Sequence, residues 1–219
     1  FAARAPFRVH IHRNETNLGY IRNFEKVLSL CQGDIIFLSD QDDVWFREKI
    51  AEVVAAFANN PRAMVVMNDQ IITDANLVPG RSTKLSNIRR YGARDDRFVT
   101  GCCSAHRREW HSVVLPIPPV RRLHDGWING VAHCLGAVYI LDHPLQYYRR
   151  HDSNASEGVF NSTTPPGKSR RLAAQVAGLS SAGPRLEEQS EDWRNALLKR
   201  LGERQESLSE LRLGSAAEA

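Results

Sequence analysis

The chain has 219 residues, 42% hydrophobic and 25% charged, with a formal net charge of +4 and a pI near 9.0. This composition excludes a disordered or fibrous protein and gives enough chain for one sizeable domain with a small appendage. No apolar run approaches the roughly 20 residues that span a bilayer, and the basic residues lie in scattered pairs such as Arg89–Arg90, which argues against nucleic acid as a partner.

No signal-peptide pattern opens the chain, so the cytosol is the expected compartment. The mild positive charge leaves room for peripheral association with the inner face of the cell membrane. Cys31, Cys102, Cys103 and Cys134 show no CxxC spacing and read as reduced, buried thiols.

The first element is Phe7 to His12 (FRVHIH), which reads as a strand. Ile21, Phe24, Val27 and Leu28 then recur at helical spacing, with Gly33 where that helix would stop. Asp34 to Ser39 forms the short apolar run of a buried strand, and Ile50, Val53, Val54 and Phe57 mark a second helix ended by Asn59, Asn60 and Pro61. Met64 to Met67 is the next strand. Strand, helix, strand, helix, strand predicts an α/β domain with a mainly parallel sheet, whose ligands bind beyond the carboxyl ends of the strands.

From Gln70 to Thr100 the pattern weakens, with turn-forming Pro79 and Gly80. Helices are predicted around Arg107 to Val114 and from Asp125 to Leu135, and a short strand over Val138 to Leu141. Beyond Glu157 the composition shifts. Residues 158–184 contain the linker-like NSTTPPGKS, and 185–219 hold a charged helical extension in which Leu197, Leu201, Leu208 and Leu211 share a face interrupted by Arg204. The domain proper is therefore expected to occupy 1–157.

One stretch carries chemistry. Ser39 to Trp45 (SDQDDVW) places Asp40, Asp42 and Asp43 at the end of the buried strand. Carboxylates so close repel one another, and desolvating them unpaired costs several kcal/mol, so something positive should sit there. Such a cluster suits Mg²⁺ or Mn²⁺, which bridge protein carboxylates to phosphates. Read alone, a solvated acidic turn, or an N-cap by Asp42 or Asp43 for the helix beginning near Phe46, is the stronger reading.

Its surroundings carry a resemblance. NLGYIRNFEKVLSLCQGDIIFLSDQDDVWFREKI closely resembles the central block of family 2 glycosyltransferases of the GT-A fold, in particular a rhamnosyltransferase-like branch that builds bacterial surface polysaccharides. Three downstream segments match in register. TGCCSAHRR (Thr100–Arg108) is similar to the family's glycine-containing acceptor-side segment, LHDGWI (Leu123–Ile128) to its ED or HD motif, and LDHPLQYYRRHDSN (Leu141–Asn154) to its closing LDxPLxxYRxHxxN.

The resemblance implies an inverting, metal-dependent sugar transferase. Its donor would be a nucleotide-diphosphate sugar, with rhamnose the sugar of that branch, and its acceptor a glycan or lipid-linked glycan. Asp40 and Asp42 would hold Mn²⁺ or Mg²⁺ and the donor diphosphate, with Asp43 in support. Asp125 would be the general base, although on its residues alone it is a helix N-cap before Trp127. His151 would join the metal or diphosphate, or else be a packed surface histidine. Arg149 would offset phosphate charge unless simply solvated, and Asn17 and Asn23 would fix the segment under the nucleotide or cap a helix.

Family members begin with a strand ending in Tyr-Asn and a second ending in paired aspartates, and neither precedes Phe7. Roughly a quarter of the domain, the donor-gripping part, is thus expected to be absent, and the 219 residues alone to transfer little. The alternative is a truncated, inactive remnant acting as a metal- or partner-binding module. Glycosidase chemistry is weaker, because it needs two carboxyls flanking a sugar bond and the matched motifs give these acids other work.

Overall fold

A computed structural model of the chain describes residues 2–119, 124–151, 160–171 and Lys199. Leu123, Asn154 and, apart from Lys199, the helical extension over 185–219 lie outside the described residues, as does much of 158–184. In chain order the elements are α1 (Gly19–Leu30), β1 (Ile35–Phe37), β2 (Val44–Trp45), α2 (Lys49–Asn59), β3 (Val65–Thr73), β4 (Pro79–Thr83), α3 (Lys84–Arg90), β5 (Ser104–Arg107), α4 (His111–Val114), α5 (His124–Cys134) and β6 (Val138–Arg149).

The architecture is α/β, but the sheet is mixed rather than mainly parallel. Its order is β1-β5-β3-β6-β2, with β4 paired to the second half of β3. Among the described residues only β3 and β6 pair in parallel; β5 is antiparallel to both β1 and β3, and β2 is antiparallel to β6. The reason is local. β1 and β3, joined through α2, do run the same way, as strand–helix–strand connection demands, but the slot between them is taken by β5 returning from the opposite direction.

The predicted strand over Phe7 to His12 does not form. That segment carries no strand assignment, and its apolar residues Phe7 and Ile11 are 63% and 70% exposed. The predicted helix over Arg107 to Val114 begins late: Arg107 ends β5, a single 3-10 turn spans Arg108–Trp110, and only then does α4 form.

Successive β3 residues feed two cores, because side chains alternate across a strand. Val66 packs with Val53, Ala56 and Phe57 of α2 and with Ala105 and Leu145 on one face. Val65 and Met67 join Leu28 of α1, Leu85 and Ile88 of α3, and Trp127, Ile128 and Val131 of α5 on the other. With helices on both faces, β3 is buried along nearly its whole length.

The first part of the segment expected as linker is docked. Arg81 N–H donates to Thr163 O at 2.8 Å, Ser82 Oγ to Ser162 O at 3.0 Å, and Asn87 Nδ2 to the carbonyls of Phe160 and Ser162. Phe160 meets Tyr91 edge-on at 5.5 Å.

Candidate active site

β1 delivers the chain to the acid loop. Leu38, buried at the strand end, donates its N–H to Ser104 O at 3.2 Å, and after Asp43 the chain is caught again by β2 pairing with Gln146 and Tyr147 of β6. The loop is therefore pinned at both ends to the sheet. A carboxylate oxygen from Asp40, one from Asp43 and the Cys102 sulfur lie within 4.8 Å of one another.

Asp43 is the most constrained of the three acids. Its Oδ2 accepts from Gln146 Nε2 at 3.0 Å and its Oδ1 from the Arg149 backbone N–H at 3.2 Å. Burial pushes its pKa up to about 6; the Cys102 and Arg149 hydrogen bonds oppose that rise, while Asp40 and Asp42 add to it. Burial, then the charge of Asp42, also raises Asp40. Asp42 takes a different partner, His151 Nε2 at 2.7 Å from its Oδ2. The structure thus groups Asp40 with Asp43 and Cys102 and pairs Asp42 with His151; the sequence put Asp40, Asp42 and His151 together, with Asp43 in support.

Beside the acids lies a buried ammonium, Lys49, on which Asp43 and Asp40 act electrostatically. It is 1% exposed, and its Nζ donates to Cys102 O at 3.0 Å and to Gln146 Oε1, lying 4.1 Å over the Trp45 ring. Burial lowers its pKa, opposed by Cys103, Cys102, Asp43 and Asp40. The sequence held a signal for this lysine. Lys49, Val53, Ala56 and Phe57 are the buried positions of α2, one helical stripe at i, i+4, i+7 and i+8, whereas predicted core residues Ile50 and Val54 are exposed.

The third component stands at the start of α5. Asp125 lies in that helix's first turn, where the dipole favours an anion. Its Oδ1 accepts from Gly126 N–H at 2.7 Å and its Oδ2 from Gly101 N–H at 3.1 Å. His124, beside it, stacks on Phe24 of α1 with ring centroids 3.8 Å apart and planes 11° apart. Burial pushes the His124 pKa down while Asp125 and Asp40 pull it up, so the acid loop and the head of α5 share one electrostatic field.

Asn17 and Asn23 make local contacts around the start of α1. Asn17 Oδ1 accepts from Gly19 N–H at 2.8 Å, tying down the entry to α1, and Asn23 Oδ1 accepts from Asn14 Nδ2 at 2.8 Å. Both are exposed. Arg149 reaches the site through its backbone N–H on Asp43. Sequence reasoning missed Lys49, Gln146, the Cys102 sulfur and the Gly101 amide. Gly101 carried the plainest signal, since it lies in the TGCCS motif, and a Cβ there would stand a tight 3.2 Å from Asp125 Cβ.

The sequence profile described as "Glycosyl transferase family 2" matches residues 1–115, which is more than half of the chain and includes the acid loop and Gly101–Cys103. The chain belongs to glycosyl transferase family 2. It is also 28% identical over 160 residues to an uncharacterized glycosyltransferase of Nostoc sp., an alignment covering 68% of this chain and 50% of the relative. The chain thus spans about half the length of the curated relative it matches.

For a family 2 glycosyltransferase the implied metal is a divalent cation, and the donor set fits one. The two carboxylate oxygens suit Mg²⁺ or Mn²⁺, and the nearby Cys102 sulfur is held as a neutral thiol, its pKa pushed up by the Cys103 hydrogen bond and by burial. Among the described residues no helix is long and apolar enough to cross a membrane.

Proposed function

We propose that this chain is the catalytic part of an inverting, metal-dependent glycosyltransferase. It moves a sugar from a nucleotide-diphosphate donor to a glycan or lipid-linked glycan acceptor, with rhamnose and bacterial surface polysaccharide as the sugar and pathway. The observation that carries this reading is the convergence of the acid loop with Asp125 at the head of α5: Gly101 N–H donates to Asp125 Oδ2 at 3.1 Å, and the next residue, Cys102, sets its sulfur within 4.8 Å of carboxylate oxygens of Asp40 and Asp43.

Each group has a role in that reading. Asp125 accepts the proton of the acceptor hydroxyl as its oxygen attacks the anomeric carbon, and the nucleoside diphosphate leaves from the opposite face with the bonding electron pair. The Gly101 and Gly126 amides hold the Asp125 carboxylate in place. Asp40 and Asp43 would hold a divalent cation beside Cys102, with Asp42 steadied by His151. Such a cation, when bound, neutralises charge developing on the diphosphate.

The test is a sugar-transfer assay, with thymidine and uridine diphosphate sugars and Mn²⁺, on the chain extended by the two N-terminal strands that the family resemblance implies. Asp125→Asn should retain metal binding and lose transfer by about two to four orders of magnitude, the worth of a positioned base. Transfer within a few-fold of wild type would remove Asp125 from the chemistry.

A second reading, an inactive remnant that binds metal or a partner, is favoured by the exposure of Phe7 and Ile11 outside the sheet. Metal binding with no transfer to any acceptor would select it.

A further inference from the structure

A buried lysine is expensive. Stripping the ammonium of water costs several kcal/mol unless its donors are satisfied, and a methionine or leucine would fill the same stripe of α2 at no such cost. Lys49 is nevertheless seated under the acid loop, with one hydrogen of its Nζ on Cys102 O and another on Gln146 Oε1. Both acceptors belong to residues that also touch the candidate metal group.

The chemistry of the ammonium fixes the geometry beyond it. An amide side chain can ordinarily sit either way round, but Lys49 can only donate, so the face of Gln146 turned toward it must be the carbonyl oxygen. The amide nitrogen is then forced to the other side. There it reaches Asp43 Oδ2 at 3.0 Å and Cys102 Sγ at 3.4 Å. Gln146 is fully buried, so no water competes for either contact. One amide therefore clips together two of the three groups that converge within 4.8 Å, and the Lys49 ammonium on one side and the Asp43 carboxylate on the other fix which way the clip faces.

We propose that Lys49 is a positioning residue of the metal and diphosphate site, acting through Gln146 to hold Asp43 and Cys102 in the arrangement that faces Asp40. This rests on the reading of the acid loop as that site. Lys49 itself touches neither metal nor substrate. If Lys49 were apolar, the buried Gln146 Oε1 would lose its donor, and the amide could regain one only by shifting away from Asp43 and Cys102.

Two measurements on the full chain test it, one independent of any metal. In the wild type, the Gln146 side-chain amide protons, followed by NMR, should exchange with solvent at least about tenfold more slowly than those of an exposed glutamine. Lys49→Met should abolish that protection while the backbone spectrum stays that of a folded chain, and Lys49→Arg, which keeps charge and donors, should retain it. In Mn²⁺ titrations, Lys49→Met should bind about 10- to 100-fold more weakly, the usual loss when an outer-shell partner of a metal ligand is removed, with Lys49→Arg recovering most of that loss.

Fast exchange of the Gln146 amide in the wild type would overturn the proposal without any variant, even if Lys49→Met failed to fold. Unchanged Mn²⁺ affinity in a folded Lys49→Met chain would overturn it as well. A wild type that bound no Mn²⁺ would instead overturn the reading of the acid loop as a metal site, and the amide measurement would still decide whether Lys49 orients Gln146.

Discussion

Gly101 and Asp125 meet where the β5 lead-in crosses the head of α5: the glycine N–H donates to Asp125 Oδ2 at 3.1 Å. A Cβ on Gly101 would stand 3.2 Å from Asp125 Cβ and 3.2 Å from His124 Nε2. Both neighbours are pinned, Asp125 by two amides and His124 by its stack on Phe24, so neither can yield without moving the proposed base. Gly101→Ala should therefore lower transfer about 10- to 100-fold, as a misplaced catalytic group does, while costing only about 1 kcal/mol in stability. Parallel rate and urea-unfolding measurements separate the two; a loss of stability with an unchanged rate would show that this contact packs the site without positioning it.

The raised pKa of Asp43 sets the sign of a pH dependence. Between the ordinary value of 3.8 and about 6, the folded chain keeps a proton that the unfolded chain has lost, so this group's contribution to stability is fully present below that window and falls as pH rises through it. Metal binding runs the opposite way, since a cation must displace that proton. Mn²⁺ affinity should drop about tenfold between about pH 7 and pH 5 from Asp43 alone, and Asp43→Asn should flatten that dependence. An equal pH slope in Asp43→Asn would assign the proton to another group.

What the sequence made legible was what periodicity and clustering encode. The buried run of β1, the start of β3, the helices α1 and α5 and the acid loop itself all stood in the letters, although Val27 of the predicted α1 stripe is exposed. β5 did not, because Ser104–Arg107 (SAHR) has no apolar run; it is buried chiefly because β1 and β3 flank it on both edges. β6 ran on past its predicted end at Leu141 to Arg149, through Pro144, a residue that normally argues against an interior strand. Pro144 is tolerated where the register with β3 shifts around Asp69. Lys49 and Gln146 were hidden for a different reason: a charged residue on an apolar helix face and an amide inside a strand reveal their purpose only when tertiary structure brings them together.

His106 and His111 face each other with their Nε2 atoms 2.8 Å apart. His106 is fully buried, and burial, then His111, pushes its pKa down to about 3 from 6.5. The unfolded chain therefore takes up a proton below 6.5 that the folded chain refuses until about 3, so stability is lost as pH falls through that window. His106→Phe removes the group, and its Nδ1 already lacks a partner. From about pH 7 to pH 4.5 the wild type should lose on the order of 2–3 kcal/mol more than the variant. Urea unfolding at the two pH values measures the difference, and matching losses would mean that the pair accepts a proton without strain.

Gly80 governs how the segment after β6 is held. A Cβ on Gly80 would come within 2.8 Å of both Thr163 Cα and Cβ and closer still to its carbonyl oxygen, the oxygen that accepts from Arg81 N–H. The obstacle is backbone, so relief requires displacing residues 160–164 as a unit, with loss of the Ser82 and Asn87 hydrogen bonds and of the Phe160–Tyr91 contact. Gly80→Ala should therefore cost about 1–3 kcal/mol, the range for overpacking a fitted contact. It should also open the chain to proteolytic cutting between Phe160 and Pro166. In the wild type that stretch is held to β4 and α3, and cutting should fall instead after Gly167, which is exposed and leaves open space around its backbone. Cleavage of the wild type within 160–166 at the rate seen in Gly80→Ala would show that the docked segment opens too readily to matter to stability.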